Sequence, residues 1–388
     1  MDRPRTPTRS AVDGALALAA AMGIGRFAYT ALLPATQRAL GAGDGMAGAI
    51  ASVNLAGYLV GVLAARHLAA SPARAAALRV GLAATALATI LGAATAAPLA
   101  WLALRGAAGV ASGLVFVLAS AAALERAAPP GELYGGVGFG IALSGAVAAL
   151  TPASAGWDVP WLALGLAAVL LPIPAWRHLA PVVAPTPREL APADDAAALG
   201  FGLGRLSAAY FLEGLGYIVS GTFAVAAVRR TPGLEALAPW TWVLTGLAAA
   251  PSALFWSAVG RRVGLRRALV LAHLTQAVGM ALPSLSSSAA AALGGAALFG
   301  GTFVGIVALA MSAGRALAPA SPGRVVGTLT AVYGVGQIIG PIAAGALSQR
   351  LGDPRPAVLV AAGAVAVGGL LLLPAGRPAR LAPPAHRP

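Results

Sequence analysis

Between Arg267 and Arg315 the chain runs for 47 residues, 268–314, without an arginine, lysine, aspartate or glutamate. A single helix of that length would reach about 70 Å, more than twice the roughly 30 Å hydrocarbon layer of a bilayer. The stretch 283–288, Pro-Ser-Leu-Ser-Ser-Ser, reads as a turn that divides it into two spans. Uncharged runs recur at 80–104, 106–124, 133–157, 236–260 and 325–349. Such a chain is a polytopic membrane protein.

Composition excludes the alternatives. Hydrophobic residues make up 59% and charged residues only 10%, with a mean hydropathy of +0.82. A soluble domain carries about a quarter charged residues and needs them for its surface. The apolar runs are continuous rather than alternating, which also excludes a transmembrane β-barrel. There is no cysteine, so disulfides and thiolate metal sites are ruled out. His67, His178, His273 and His386 show no metal-ligand spacing. No nucleotide-binding motif lies in a soluble βαβ context, and no compact catalytic set is visible, so neither a cofactor nor an enzymatic reaction is expected.

The net charge of +14 does not point to nucleic acid. All 26 bases are arginines that punctuate the ends of apolar runs, the arrangement expected beside anionic membrane lipids. A coarse reading predicts twelve helices: 12–33, 46–65, 76–96, 98–121, 133–152, 160–177, 201–227, 240–259, 267–283, 289–314, 325–348 and 356–374. The Pro-rich, polar segment 178–200 divides them six and six. Predicted units are thus an N-terminal half 1–177, a cytoplasmic linker 178–200, and a C-terminal half with tail 201–388. With the N-terminus inside, 18 arginines fall on cytoplasmic ends and loops, five on the opposite side and three within helices. That bias places both termini in the cytoplasm. The first apolar segment shows no cleavage site and is read as a retained helix.

The halves echo one another. Met22-Gly-Ile-Gly-Arg-Phe27 in helix 1 matches Glu213-Gly-Leu-Gly-Tyr-Ile218 in helix 7, and Tyr134-Gly-Gly-Val-Gly-Phe-Gly140 matches Tyr333-Gly-Val-Gly-Gln-Ile-Ile-Gly340. Paired six-helix halves with a site between them are a transporter architecture. Four segments resemble the YbfB/YjiJ-type branch of the major facilitator superfamily: 23–34 (GIGRFAYTALLP), 54–61 (NLAGYLVG), 214–223 (GLGYIVSGTF) and 333–341 (YGVGQIIGP). The resemblance implies an all-α membrane protein, twelve transmembrane helices in two pseudo-symmetric halves, working as a monomer in a bacterial inner membrane. It also implies secondary transport of a small organic solute by alternating access, with proton coupling; a non-transport protein handling a lipid or quinone, or a regulator, is the alternative. Ala31 stands where the branch often has proline, which predicts a weaker kink in helix 1. The 57–66 loop motif lacks its usual acid, and Ile141 replaces the proline of the antiporter motif. Leu102-x-x-Arg105-x-x-x-Gly109 resembles the superfamily's buried-arginine motif.

Charge inside a membrane marks candidate function, because an unpaired arginine there costs at least about 2.5–3.5 kcal/mol. Arg26 is read either as an anion-binding or gating residue or as an ion-pair strut. Glu213, the one acid deep in a predicted span, is either a coupling carboxyl or a structural partner of Arg26 or Arg105; Arg26 and Glu213 are expected to meet across the cavity. Arg105 either contacts solute or packs helices. Tyr217, Gln337, Asn54 and Tyr58 are candidate solute contacts or helix-bridging polar groups. Arg205, Asp13 and His273 are expected in interfacial or packing roles. With two arginines against one acid, an anionic or zwitterionic solute is expected.

Overall fold

Residues 6–68, 71–152, 154–178, 199–319 and 321–374 are described by a computed structural model, and among them no strand occurs. Twelve rods follow in order. The first half holds α1 (Pro7–Leu40), α2 (Asp44–Leu68), α3 (Arg74–Ala93), α4 (Pro98–Leu124), α5 (Pro130–Leu150) and α6 (Val159–Leu170), which the short helix Ile173–His178 follows. The second holds α7 (Leu203–Arg229), α8 (Ala238–Val263), α9 (Leu265–Leu285), α10 (Ala289–Leu317), α11 (Pro322–Leu351) and α12 (Arg355–Leu371). Ten of them are long and apolar enough to cross a bilayer; α6 and α12, with 12 and 17 residues, are shorter.

Local chemistry sets the ends. Proline opens α1, α4 and α5, where its missing N–H costs nothing. Thr6 caps α1 by accepting from the Arg9 amide, and Gly41 ends it with a φ of 59°. These two signals make α1 longer than the predicted 12–33, so that Asp13 lies two turns inside it and is buried. Pro283 sits in the last turn of α9, which carries the helix to Leu285 instead of stopping at 283. The 178–200 linker falls almost wholly outside the described residues.

Surface and interior are inverted relative to a soluble protein. Leu99, Leu150, Val80 and Val360 are well exposed, while Arg26, Asn54, Arg105, Glu213, Gln276 and Gln337 are buried. An apolar exterior suits lipid, and polar groups find partners only inside the bundle.

The halves meet chiefly along three helix pairs: α1 with α7, α2 with α11, and α5 with α8. Small residues let them approach at backbone distance. A Cβ on Gly48 would run into the carbonyl of Pro341, and one on Gly246 into the backbone of Ala142. Two contacts between α1 and α7 have the same sequence separation of 191: Arg26 with Tyr217, and Thr30 with the carbonyl of Gly221. Residues at equivalent repeat positions touch only near a pseudo-twofold axis. That axis runs between α1 and α7.

Candidate functional site

Helix α1 is broken where the site begins. Residues Ala19–Ile24 form a π-helix, with the Gly25 amide donating to the Ala20 carbonyl at 2.9 Å and Phe27 to Met22 at 3.1 Å. Residues 25–27 form a turn before the helix resumes at Ala28. The helix runs regularly through Ala31, where the branch often has proline, and the break lies one turn earlier, without proline. The two carbonyls at the break need donors, and no water competes inside a bilayer. Arg105 of α4 supplies them, Nη1 to Gly25 at 2.7 Å and Nη2 to Arg26 at 2.8 Å. The backbone carbonyl of Arg105 in turn accepts from Asn54 Nδ2 of α2 at 2.8 Å. Arg105 and Asn54 thus tie α1, α2 and α4 together, and the guanidinium lies 5.4 Å from the Tyr29 ring centroid.

Arg26 projects from this break into the other half. Its Nη2 donates to Tyr217 Oη at 2.8 Å and to Gln337 Oε1 at 3.0 Å, while Gln337 Nε2 donates to Tyr217 Oη at 3.0 Å. The Cζ atom lies 4.5 Å from the Tyr58 ring centroid and 4.9 Å from that of Phe27. These hydrogen-bond partners are neutral, and Nε is buried without a partner. Cation–π contacts ease burial of the charge but do not cancel it. Space here is small: a cavity of about 20 Å³ touches Arg26, Tyr29, Asn54 and Arg105, room for about one water.

Around Arg26 the aromatic side chains are ordered into a stack. Tyr217 lies nearly parallel to Tyr333 at 5.5 Å and 7°, and to Phe303 at 5.7 Å and 12°. The stack extends to Tyr210 beyond Tyr333, at 4.3 Å, and to Phe299 beyond Phe303, at 5.7 Å. On the opposite side, Tyr58, Phe116 and Tyr134 form a tilted series with centroids 6.2 and 6.0 Å apart.

Glu213 does not meet Arg26, contrary to expectation. It is fully buried within the second half, where its Oε1 accepts from Gln276 Nε2 of α9 at 2.7 Å. Thr302 Oγ1 of α10 donates to Gln276 Oε1 at 3.1 Å, and Glu213 Oε2 has no partner. The repeat explains the difference: Tyr217, not Glu213, is the position equivalent to Arg26, and Glu213 lies one turn away. His273, three residues before Gln276, bonds the Leu269 carbonyl at 2.8 Å, and its Nε2 is buried without a partner. Arg205 bonds the carbonyl of Leu373, joining the ends of α7 and α12.

The halves are also latched where α1 gives way to α2. Asp44 receives both Arg230 nitrogens, Nη2 at 2.7 Å and Nη1 at 2.8 Å, and Gln37 Nε2 at 2.8 Å. Gln349 Oε1 of α11 accepts from the Gly45 amide at 2.9 Å. The hydrogen bonds to Asp44 hold the Arg230 guanidinium above its ordinary pKa. Outside this latch opens a cavity of about 610 Å³ lined by Arg38, Asp44, Ala226, Arg229, Arg230 and Gln349, among others.

The family profile described as "Uncharacterised MFS-type transporter YbfB" matches residues 18–373. The chain belongs to this family. Membrane transport is accordingly its general function, within the major facilitator superfamily. The nucleoside transporter NupG has the same fold, with a TM-score of 0.69 at 12% identity over 93% of this chain and 98% of that one. A point mutant of NupG gives 0.71 at 13% identity with the same coverage. A bacterial homologue of the human lysosomal transporter Spinster, solved inward-facing and unoccupied, gives 0.66 at 16% identity over 94% of each chain. A comparison with curated proteins finds no match.

Several residues of this MFS-type protein that shape the site were not singled out from sequence. Asp44 and Arg230 lie at helix ends, where charge is ordinary, so nothing marked them as a pair. Gln276 did carry a signal: it is an amide within the 47-residue uncharged stretch. Tyr333 was visible only as part of the glycine motif in α11.

Proposed function

We propose that this chain is a secondary active transporter that moves a small organic solute between its halves by alternating access, coupled to protons. The observation that carries this reading is Arg26: a buried guanidinium at a helix break, bridging to Tyr217 and Gln337 of the opposite half. A bond network across the moving interface must be remade when the halves rock, and a solute that replaces its members is thereby linked to the motion. Tyr217 and Gln337 are neutral, so an anionic or zwitterionic solute gains a charge partner at Arg26 without first displacing an acid. Asn54 and Arg105 hold the break that presents Arg26, and Tyr58 covers one face of its guanidinium.

Glu213 is the proposed proton site. Its carboxyl is fully buried against a neutral amide, with one oxygen unpartnered. A bare carboxylate would be expensive there, so proton uptake and release must accompany changes in its surroundings. Linkage through α7, which also carries Tyr217, supplies a route between proton and solute. The chain is proposed to lie in a bacterial inner membrane with both termini and the 178–200 linker in the cytoplasm, and to act as a monomer.

A thermal-shift screen of organic acids, amino-acid-like solutes and cations, followed by uptake in vesicles, tests substrate charge. Transport of cations without competition by organic acids rejects the anion preference. Matched vesicles of wild type and Glu213→Gln test coupling: the variant is expected to lose proton-driven accumulation and keep exchange. An unchanged proton-to-solute stoichiometry removes Glu213 from this role.

A further inference from the structure

The chain is poor in aromatics, at 6%, yet all six of its tyrosines belong to one connected layer around Arg26 and Arg105. Tyr29 faces Arg105, and Tyr58 faces Arg26 and leads through Phe116 to Tyr134. Tyr217 bonds Arg26 and stacks on Tyr333, which stacks on Tyr210. Helix packing alone does not call for this: many helix contacts of the bundle are made by glycine at backbone distance. The rings in the second half are also near parallel, within 7–15° from Tyr210 to Phe303. Offset-stacked and edge-on pairs are both favoured, but here stacking runs on from Tyr210 through Tyr333, Tyr217 and Phe303 to Phe299, a series that a further flat ring can join.

We infer that the solute is a small planar carboxylate, an aromatic or heteroaromatic acid, whose carboxylate takes the Arg26 guanidinium while its ring stacks in the Tyr217–Phe303–Tyr333 series. This inference rests on the transport reading above and narrows its substrate class. The ring of Tyr217 lies between two parallel neighbours and is tethered by hydroxyl contacts to Arg26 and Gln337. A carboxylate offers two acceptors in the plane of a guanidinium and competes for the donor that Tyr217 and Gln337 now share. Release of Arg26 frees both of them, so Tyr217 can shift and admit a flat ring beside Phe303 or Tyr333. A saturated ring of equal carbon number carries the same charge but is thicker and has no π-face to stack.

Equilibrium dialysis of the purified full-length protein at pH 7.5 with radiolabelled benzoate, cyclohexanecarboxylate, benzamide and benzylammonium separates the possibilities. Benzoate is expected to bind about fivefold or more tightly than cyclohexanecarboxylate, with benzamide and benzylammonium not detected. Tyr217→Leu and Phe303→Leu are expected to bring the benzoate-to-cyclohexanecarboxylate ratio to about one, whereas Tyr217→Phe, which keeps the ring, retains it. Because the readout is a ratio within one preparation, partial loss of folded protein does not mimic the effect. Equal binding of the two carboxylates by wild type overturns the planar-acid inference and leaves the anion reading intact. Binding of benzylammonium or benzamide without either carboxylate overturns both, and binding of none of the four overturns the inference.

Discussion

Replacing Asp44 by asparagine removes one charge from the pair that joins α2 to the end of α7. The carboxylate accepts two Arg230 hydrogen bonds of 2.7 and 2.8 Å, and its side chain is 5% exposed against 39% for Arg230. Fully exposed pairs contribute at most about 1 kcal/mol. The forked geometry and the buried carboxylate raise this, and solvent at Arg230 limits it, so about 1–2 kcal/mol is a fair range. Because the pair spans the two halves, losing it disfavours closure of this end by about 5- to 30-fold. The native chain has no cysteine, so a single Ala226→Cys on the wall of the 610 Å³ cavity reports opening through its reaction with an impermeant maleimide. When reclosing is faster than labelling, the rate follows the open population. Asp44→Asn and Arg230→Gln should each accelerate labelling by that factor. The double variant should add little to either, since both remove one interaction. Unchanged rates in the single variants, or fully additive effects, would show that this pair does not hold the halves together.

Arg105→Gln strips the donors from two buried carbonyls at the α1 break and should destabilise the fold by about 2–4 kcal/mol. Thermal unfolding in detergent checks this, with Arg105→Lys intermediate because an ammonium lacks the fork. Gly48→Val places a side chain against the Pro341 backbone, which cannot yield as a side chain can. It should therefore open the Asp44 end more than Asp44→Asn does, read by the same Ala226→Cys labelling. A cysteine introduced at Ala184 should resist an impermeant reagent added outside intact cells; labelling there would reverse the topology.

The helices were legible because uncharged runs long enough for a bilayer leave few other readings, and proline and glycine marked many of their ends. Arg26 was legible as a charge in an apolar span, just after Gly23 and Gly25. Its partners were each visible as polar residues in apolar helices, but not as partners. The repeat fixed the level of Glu213 and Arg26 in the bundle, whereas contact depends on which residue lies on the axis. The equivalence of Arg26 with Tyr217 was present in the aligned glycines, and charge complementarity drew attention to the wrong neighbour. Solute contact and helix packing stayed open for Arg105 because the break in α1, which takes both ends of its guanidinium, comes from a π-helix with no proline to announce it. The latch was not legible at all: Asp44 and Arg230 are 186 residues apart and lie outside the glycine motifs.

Solute flux through Arg26 variants tests the account most directly. Wild type, Arg26→Ala and Arg26→Lys, reconstituted at matched amounts of monodisperse protein, are compared for counterflow of the acid selected by the screen. Loss of a buried charge-assisted contact, at about 1.5–3 kcal/mol, predicts about a 10- to 150-fold fall in apparent affinity for Arg26→Ala, partly restored in Arg26→Lys. Counterflow by Arg26→Ala with wild-type affinity and rate would contradict the account and move the solute path away from the bridge between Arg26, Tyr217 and Gln337.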